Sequence, residues 1–233
     1  MNAVTSEMDL VAAVLKLDDF LRTAPLTDAI GQLESALEGA DREGAARAAA
    51  AAGVTAELLA AAVTVRARLG RINDLIHAVG IALVLPRMLD DGERITSKPS
   101  LAAGNDPSRP YDLLTDRRAA EFKFAQWKGA DAMRKRQTFK DLVLLAASDA
   151  PRAELLVIGS EPEQFLRTCT STAAWGLDRA TAARTIFESK FGSLDTTIAQ
   201  FTATHAAHVA ITDIRALLPA QVAMVFAAPE RQG

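Results

Sequence analysis

Cysteine is nearly absent from this chain of 233 residues: Cys169 stands alone, so an intrachain disulfide framework is excluded and a reducing compartment is expected. A small buried hydrophobe is the expected role of that thiol. Aromatic residues make up only 5% of the chain, so alanine and the aliphatics must fill the core, and the alanine-rich stretches favour helix. The N-terminus, MNAVTSEMDLV, is acidic and lacks a basic segment followed by an apolar core, so no secretory signal is expected. Long hydrophobic runs are also missing. The most apolar stretch, Leu75 to Leu85, is interrupted by His77 and Gly80 and stops at Pro86, too short to span a bilayer. Together these features predict a cytoplasmic protein with no membrane segment. A Walker A loop, a dinucleotide-binding glycine fingerprint and a G-x-S-x-G elbow are absent as well.

Net charge is small, at −3, which argues against a simple basic coat for nucleic acid, but the charge is uneven. Residues 1–60 hold four bases against ten acids, whereas residues 105–140 hold nine bases against five acids. A positive segment favours a phosphate-backbone ligand; a solvated helix face has the same composition.

Helical spacing dominates the first 69 residues, with Leu10, Val14 and Leu17 one turn apart and Ile30, Leu33 and Leu37 likewise. Three or four short helices are predicted there, as a helical N-terminal region (1–69) before an α/β core with C-terminal helices (70–233). Residues 72–88 predict a buried helix. From residue 94 the period changes: 94–103 has mixed β propensity and Gly104-Asn105-Asp106-Pro107 signals a loop. Residues 109–115 predict a strand, 116–118 a turn and 119–127 the returning strand. The two-residue period puts Glu121 and Lys123 on one face and Phe122 and Phe124 on the other. An amphipathic helix over 129–148 follows, then a covered strand over 153–158. Helices over 161–170 and from about 179 to 218 precede a last strand over 222–227. The order implies an α/β (α+β) fold, a mixed central sheet flanked by helices.

The chemistry concentrates between Pro110 and Lys123. Asp112 and Glu121 on neighbouring strands offer hard carboxylate oxygens that suit Mg²⁺ or Mn²⁺, and Lys123 offers an amine beside them. A metal so held lowers the pKa of bound water and polarises a phosphoryl oxygen, and the lysine positions the nucleophile or stabilises charge. Lys128 or Arg134 can hold a neighbouring phosphate. The rival reading is a salt-bridge ladder across a hairpin, but Glu121 and Lys123 interrupt an apolar strand, where charges are costly unless paired or used.

An acid followed by acid-any-lysine on adjacent strands resembles the PD-(D/E)xK nuclease superfamily, with its restriction-endonuclease-like fold. The resemblance covers about residues 72–158 and rests on Asp112, on Glu121-Phe122-Lys123 and on a helix–strand–strand–strand–helix–strand order. It departs from the pattern in having Pro-Tyr-Asp at the first motif. It implies Asp112 and Glu121 as metal ligands and Lys123 as the catalytic lysine, with Mg²⁺ or Mn²⁺ as cofactor. Arg134 and Gln137 stand where the family often carries a further polar residue on the helix after the lysine strand. For the acid or histidine that many members carry on the preceding helix, Asp74, His77 and Glu93 are candidates. DNA is the substrate the resemblance implies, and a homodimer is one arrangement for cutting both strands. The alternative is an inactive nuclease-fold protein that binds nucleic acid or another protein.

Two weaker features complete the inventory. His205 and His208 stand at i and i+3, which would share a helix face, though no cysteine or acid cluster accompanies them for zinc. Trp127, at the end of the charged strand, can stack on a base or pack against the following helix.

Overall fold

The structure, a computed structural model, describes residues 9–38, 40–101, 110–127 and 131–227. It divides into two compact units at Ile72 and Asn73. In the first unit lie α1 (Leu10–Thr23), α2 (Leu26–Leu37), α3 (Arg42–Ala51) and α4 (Ala56–Leu69). Polar side chains fix two of the starts: Asp41 accepts the Gly44 N–H at 2.7 Å and Thr55 accepts the Leu58 N–H at 3.1 Å. Ala13 of α1 and Ala61 of α4 are fully buried, and their small side chains let these two helices pack closely.

The second unit begins at Asn73, in the first turn of α5 (Ile72–Met88). Ile81, Val84 and Met88 are its buried side, while Leu75, Ile76, Val79 and Leu83 are exposed. By length and composition the helical stretch Ala56–Met88 would suffice to cross a membrane, unlike the shorter run weighed in the sequence. Within it, the side of α5 that carries Ile81, Val84 and Met88 is buried in a protein core. Gly80 is required by close approach: a Cβ there would lie 2.4 Å from the Phe124 ring.

Next come β1 (Leu113–Leu114) and β2 (Arg118–Lys123), then α6 (Ala132–Ala146) and β3 (Arg152–Val157). α7 (Glu161–Thr168), α8 (Ala173–Gly176), α9 (Thr181–Lys190) and α10 (Ile198–Ala203) lead to β4 (Val209–Asp213). A 3-10 turn (Ile214–Leu217) and α11 (Ala220–Ala227) close the described chain. The sheet order is β1-β2-β3-β4, with β1 antiparallel to β2 and the other pairs parallel. This is a mixed α/β architecture, a four-stranded mixed sheet flanked by helices, as the strand–helix–strand pattern predicts.

Both faces of the sheet are covered. Ala119, Leu155 and Val157 pack with Phe139, Leu142 and Val143 of α6 and with Phe187 and Phe201 of the helices beyond. On the other face Leu113, Ala120, Phe122 and Leu156 pack with α5 and with Ile214 and Leu218. Alternation along β2 therefore sorts its side chains as its sequence predicts. Each fully buried leucine of β3 contributes roughly 1.5–3 kcal/mol of hydrophobic stabilisation.

Four local expectations are corrected. The strand expected over 109–115 is regular only at Leu113–Leu114, with Arg109 outside the described residues, and the return strand ends at Lys123 rather than Trp127. The segment from Arg94 to Ser100 forms an irregular edge: Thr96 N–H donates to Leu114 O at 3.0 Å and Ser100 N–H to Asp112 O at 2.8 Å. Residues 222–227 belong to α11, not to a strand. A short apolar run does not distinguish the two states, and here alanine and methionine follow a helix-opening Pro219. Conversely, Val209–Asp213, read as helical, is a strand because its register against β3 supplies a full ladder for a β-branched segment.

A buried ion cluster pins the β1–β2 turn. Glu93 takes Arg118 in a two-pronged bond, with both contacts at 2.6 Å, and also accepts Thr115 Oγ1 at 2.6 Å. Arg118 reaches Glu154 on β3 at 3.0 Å. The guanidinium beside Glu93 outweighs burial and holds its carboxyl down at about 2. Glu93, a candidate acid from the sequence, is therefore committed to holding the hairpin in register.

Candidate functional site

Register brings the first two predicted residues together. Leu113 faces Ala120 across the β1–β2 pair, so continuing by one residue sets Asp112 against Glu121. The contacts follow: Asp112 N–H donates to Glu121 Oε2 at 3.2 Å, and Asp112 Oδ2 accepts the Phe122 N–H at 3.0 Å. Asp112 is buried, and its carboxylate oxygen is fixed by the backbone of β2.

Lys123 projects to the α6 side. Its Nζ lies 2.6 Å from Glu121 Oε1 and 2.6 Å from Asp141 Oδ2. Asp141 is the residue that sequence reasoning missed. It sits among Phe139, Leu142 and Val143 on the buried side of α6, with only 5% of its side chain exposed. The available signal was an acid inside the apolar stripe of an amphipathic helix, one turn after Gln137. Gln137, one of the polar residues the resemblance points to on the helix after the lysine strand, spends its side-chain amide on that carboxylate, at 3.3 Å from Oδ2 and 3.4 Å from Oδ1. Lys140 Nζ adds a contact at 3.2 Å to Oδ1.

His77 joins the cluster from α5. Its Nε2 lies 3.2 Å from Asp112 Oδ2 and its Nδ1 3.2 Å from Leu101 O, while the ring meets Phe124 edge-on. Both neighbours are acceptors, and only the doubly protonated imidazolium donates to both. Burial by itself would depress the imidazole, but the Asp112 carboxylate prevails and holds its pKa above the ordinary value. His77, one of the three candidates from the preceding segment, touches Asp112.

The electrostatics are those of crowded acids. Burial pushes the Glu121 carboxyl up to about 7, opposed by Lys123 and reinforced by Asp141 and Asp112. Burial would lower the Lys123 ammonium, yet Asp141 and Glu121 outweigh it and keep the amine firmly protonated. The cluster thus holds the Lys123 cation between Asp141 and Glu121, and the Glu121 carboxyl is the one poised near neutrality.

Other predicted positions stand apart. Arg134 is half-exposed at the start of α6 and pairs with Asp131, the residue that also caps the helix. Its described contacts do not include Asp112, Glu121 or Lys123. Lys128 lies outside the described residues. Trp127 packs on Phe165 of α7, with ring centroids 5.4 Å apart, and lines one pocket with Ala132 and Lys135 of the helix that follows it. His205 and His208 fall in the turn after α10, not on a helix face, and His205 packs against Phe191 and Phe201.

Among the described residues, no group of three or more His, Cys, Asp or Glu side chains is arranged to hold a metal ion. Two carboxylates suffice for Mg²⁺, which retains waters and takes its remaining ligands from a phosphate substrate, so the donor chemistry of Asp112 and Glu121 fits such an ion. No protein-family model, curated protein or solved structure matches this chain.

Proposed function

We propose that the protein is a metal-dependent nuclease that hydrolyses phosphodiester bonds, with DNA as its substrate. The observation that carries this reading is the pairing of Asp112 with Glu121 beside Lys123 at a register fixed by the β1–β2 hairpin. The order α5, irregular edge, β1, β2, α6, β3 supports it, since it follows the restriction-endonuclease-like pattern that the sequence resembles. Asp112 and Glu121 would hold Mg²⁺ or Mn²⁺, which supplies an activated water and charge neutralisation on the phosphoryl group.

The chain's own residues then have separable tasks. His77 and the Phe122 amide orient the Asp112 carboxylate. Asp141 and Gln137 hold the Lys123 ammonium in place, where it would stabilise negative charge on the scissile phosphate. Glu121 must be ionised to bind a cation, so its raised pKa sets the pH at which the site becomes competent.

The test is Mg²⁺-dependent cleavage of plasmid and single-stranded DNA by the full chain, compared with Asp112→Ala and Lys123→Ala. Loss of a charge-stabilising group lowers turnover by roughly 10²–10³-fold, and each variant should show such a loss. Cleavage that persists in both removes the site. A second reading has its own observation: Lys123 is locked between two carboxylates and His77 against a third, so the ions already satisfy one another. An inactive nuclease-fold module would keep that network and bind nucleic acid or a protein without cutting; binding that survives with no metal-dependent cleavage would favour it.

A further inference from the structure

Both tryptophans of the chain, Trp127 and Trp175, line one open pocket of about 520 Å³. That volume lies within the range of small-ligand sites. Phe165 lines it beside Trp127, and Lys135, Glu161 and Gln164 line it as well. Cations lie over the rings: Lys135 Nζ is 5.8 Å from the Phe165 centroid, and the Arg136 guanidinium carbon is 4.9 Å from that of Trp175. Three half-buried aromatics in a chain so poor in them, two of them under a cation, are not explained by core filling alone, because the rings remain partly open to solvent.

The pocket adjoins the carboxylate–lysine cluster through two elements. Trp127 follows Lys123 by four residues, a reach of at most roughly 14 Å along the chain. On α6, Lys135 precedes Gln137 by two residues, and the Gln137 amide contacts Asp141. Phe165 and Trp175 pack against the same core as α6, so the pocket opens on the α6 side of the sheet, the side to which Lys123 projects.

We infer that this pocket stacks an unpaired nucleobase of a single-stranded nucleic acid, with Lys135 and Arg136 beside its backbone phosphate. The inference rests on the nuclease reading for the neighbouring cluster and names the form of its substrate: a strand with at least one base out of a duplex. Aromatic faces accept any base, and the cations complement the phosphate rather than an apolar peptide. Glu161 and Gln164 offer acceptors to the edge of the base.

The signal is built in, since tryptophan fluorescence arises only from this pocket. The full chain is titrated, in EDTA to prevent cleavage, with oligo-dT, oligo-rA, a blunt duplex and an oligo-dT of equal length made of abasic sites. Saturable quenching by either base-bearing single strand, weaker with the duplex and lost with the abasic strand, is the expected result. The stronger of the DNA and RNA arms names the sugar that the pocket prefers. Trp127→Ala and Trp175→Ala should each weaken binding by roughly 5- to 150-fold, as expected for one stacked base. Trp127→Phe should retain affinity, which separates stacking from a folding defect, and Lys135→Ala should weaken binding less at high salt than at low salt.

Equal binding of the abasic and base-bearing strands overturns the inference, as does unchanged affinity in both tryptophan-to-alanine variants. The two proposals fail separately. Quenching without metal-dependent cleavage leaves the pocket and removes the nuclease; cleavage with no quenching, undiminished in Trp127→Ala, does the reverse.

Discussion

Replacing Lys123 by methionine isolates the one cation that two buried carboxylates share. Its Nζ is 2.6 Å from both Glu121 Oε1 and Asp141 Oδ2, and the three side chains are 21%, 12% and 5% exposed. At an effective dielectric of about 20, each contact corresponds to ~6 kcal/mol of Coulomb attraction. Burial of the three charges costs several kcal/mol for each ion, so the net value is far smaller. Removing one partner of a buried pair costs about 3–5 kcal/mol, because the remaining charge stays desolvated. A loss of about 4 kcal/mol with a urea slope of about 2 kcal/mol/M lowers the midpoint by ~2 M. Tryptophan fluorescence reads this in the second unit, since Trp127 and Trp175 both lie there. The sign with pH is also fixed. Glu121 already titrates at about 7 when folded, above its ordinary 4.5, so its burial stabilises least where it is ionised. Without the ammonium its pKa rises further, and the deficit of Lys123→Met should be larger at pH 8 than at pH 5.5. Mg²⁺ bound by the carboxylates left without the ammonium would, at a hundred times its dissociation constant, return about 2.7 kcal/mol. A metal-free midpoint at pH 8 indistinguishable from that of the native chain would refute the shared-cation arrangement.

Glu93→Gln should cost about 3–5 kcal/mol by breaking the buried pair with Arg118. Because Glu93 is held at about 2, its stabilisation is present above pH 4.5 and lost as pH falls towards 2; urea midpoints across that window should flatten in the variant. The His77 imidazole should titrate above its ordinary value, and its stabilisation, complete below pH 6.5, should fade as pH rises through the folded pKa; NMR titration beside Asp112→Asn checks it, the variant returning the ring towards normal. Gly80→Ala forces Phe124 to move and should cost about 1–3 kcal/mol by denaturant titration. Metal-dependent cleavage should increase as pH rises through about 7, with a midpoint that moves to lower pH as Mg²⁺ is raised, because cation and proton compete for Glu121.

Residues two to eleven positions apart are legible because strand periodicity and a short turn relate them directly. Asp112, Glu121 and Lys123 fall in that class, and the alternation along β2 sorts its side chains between the two covered faces as the structure has them. Two further side chains of the site come from other elements. His77 stands 35 residues before Asp112, and its role depends on how α5 lies against the sheet, which the Gly80–Phe124 contact decides. Asp141 stands 18 residues after Lys123, on a helix whose crossover back to β3 determines which of its faces meets the lysine. Neither element carries the pairing in its own residues. What sequence did offer was an anomaly on each: a histidine in an apolar helix and an acid in an apolar stripe. The same limit explains α11 and β4. VAMVFA and VAITD are both short apolar segments, and pairing with β3, available only to the second, sets their states. For the site, the consequence is a charge balance that the triplet alone conceals. Asp112 has His77, and Asp141 has Lys140 as well as its share of Lys123, whereas Glu121 has only the shared Lys123. A proton at pH 7 and a divalent cation are two ways to meet that one demand.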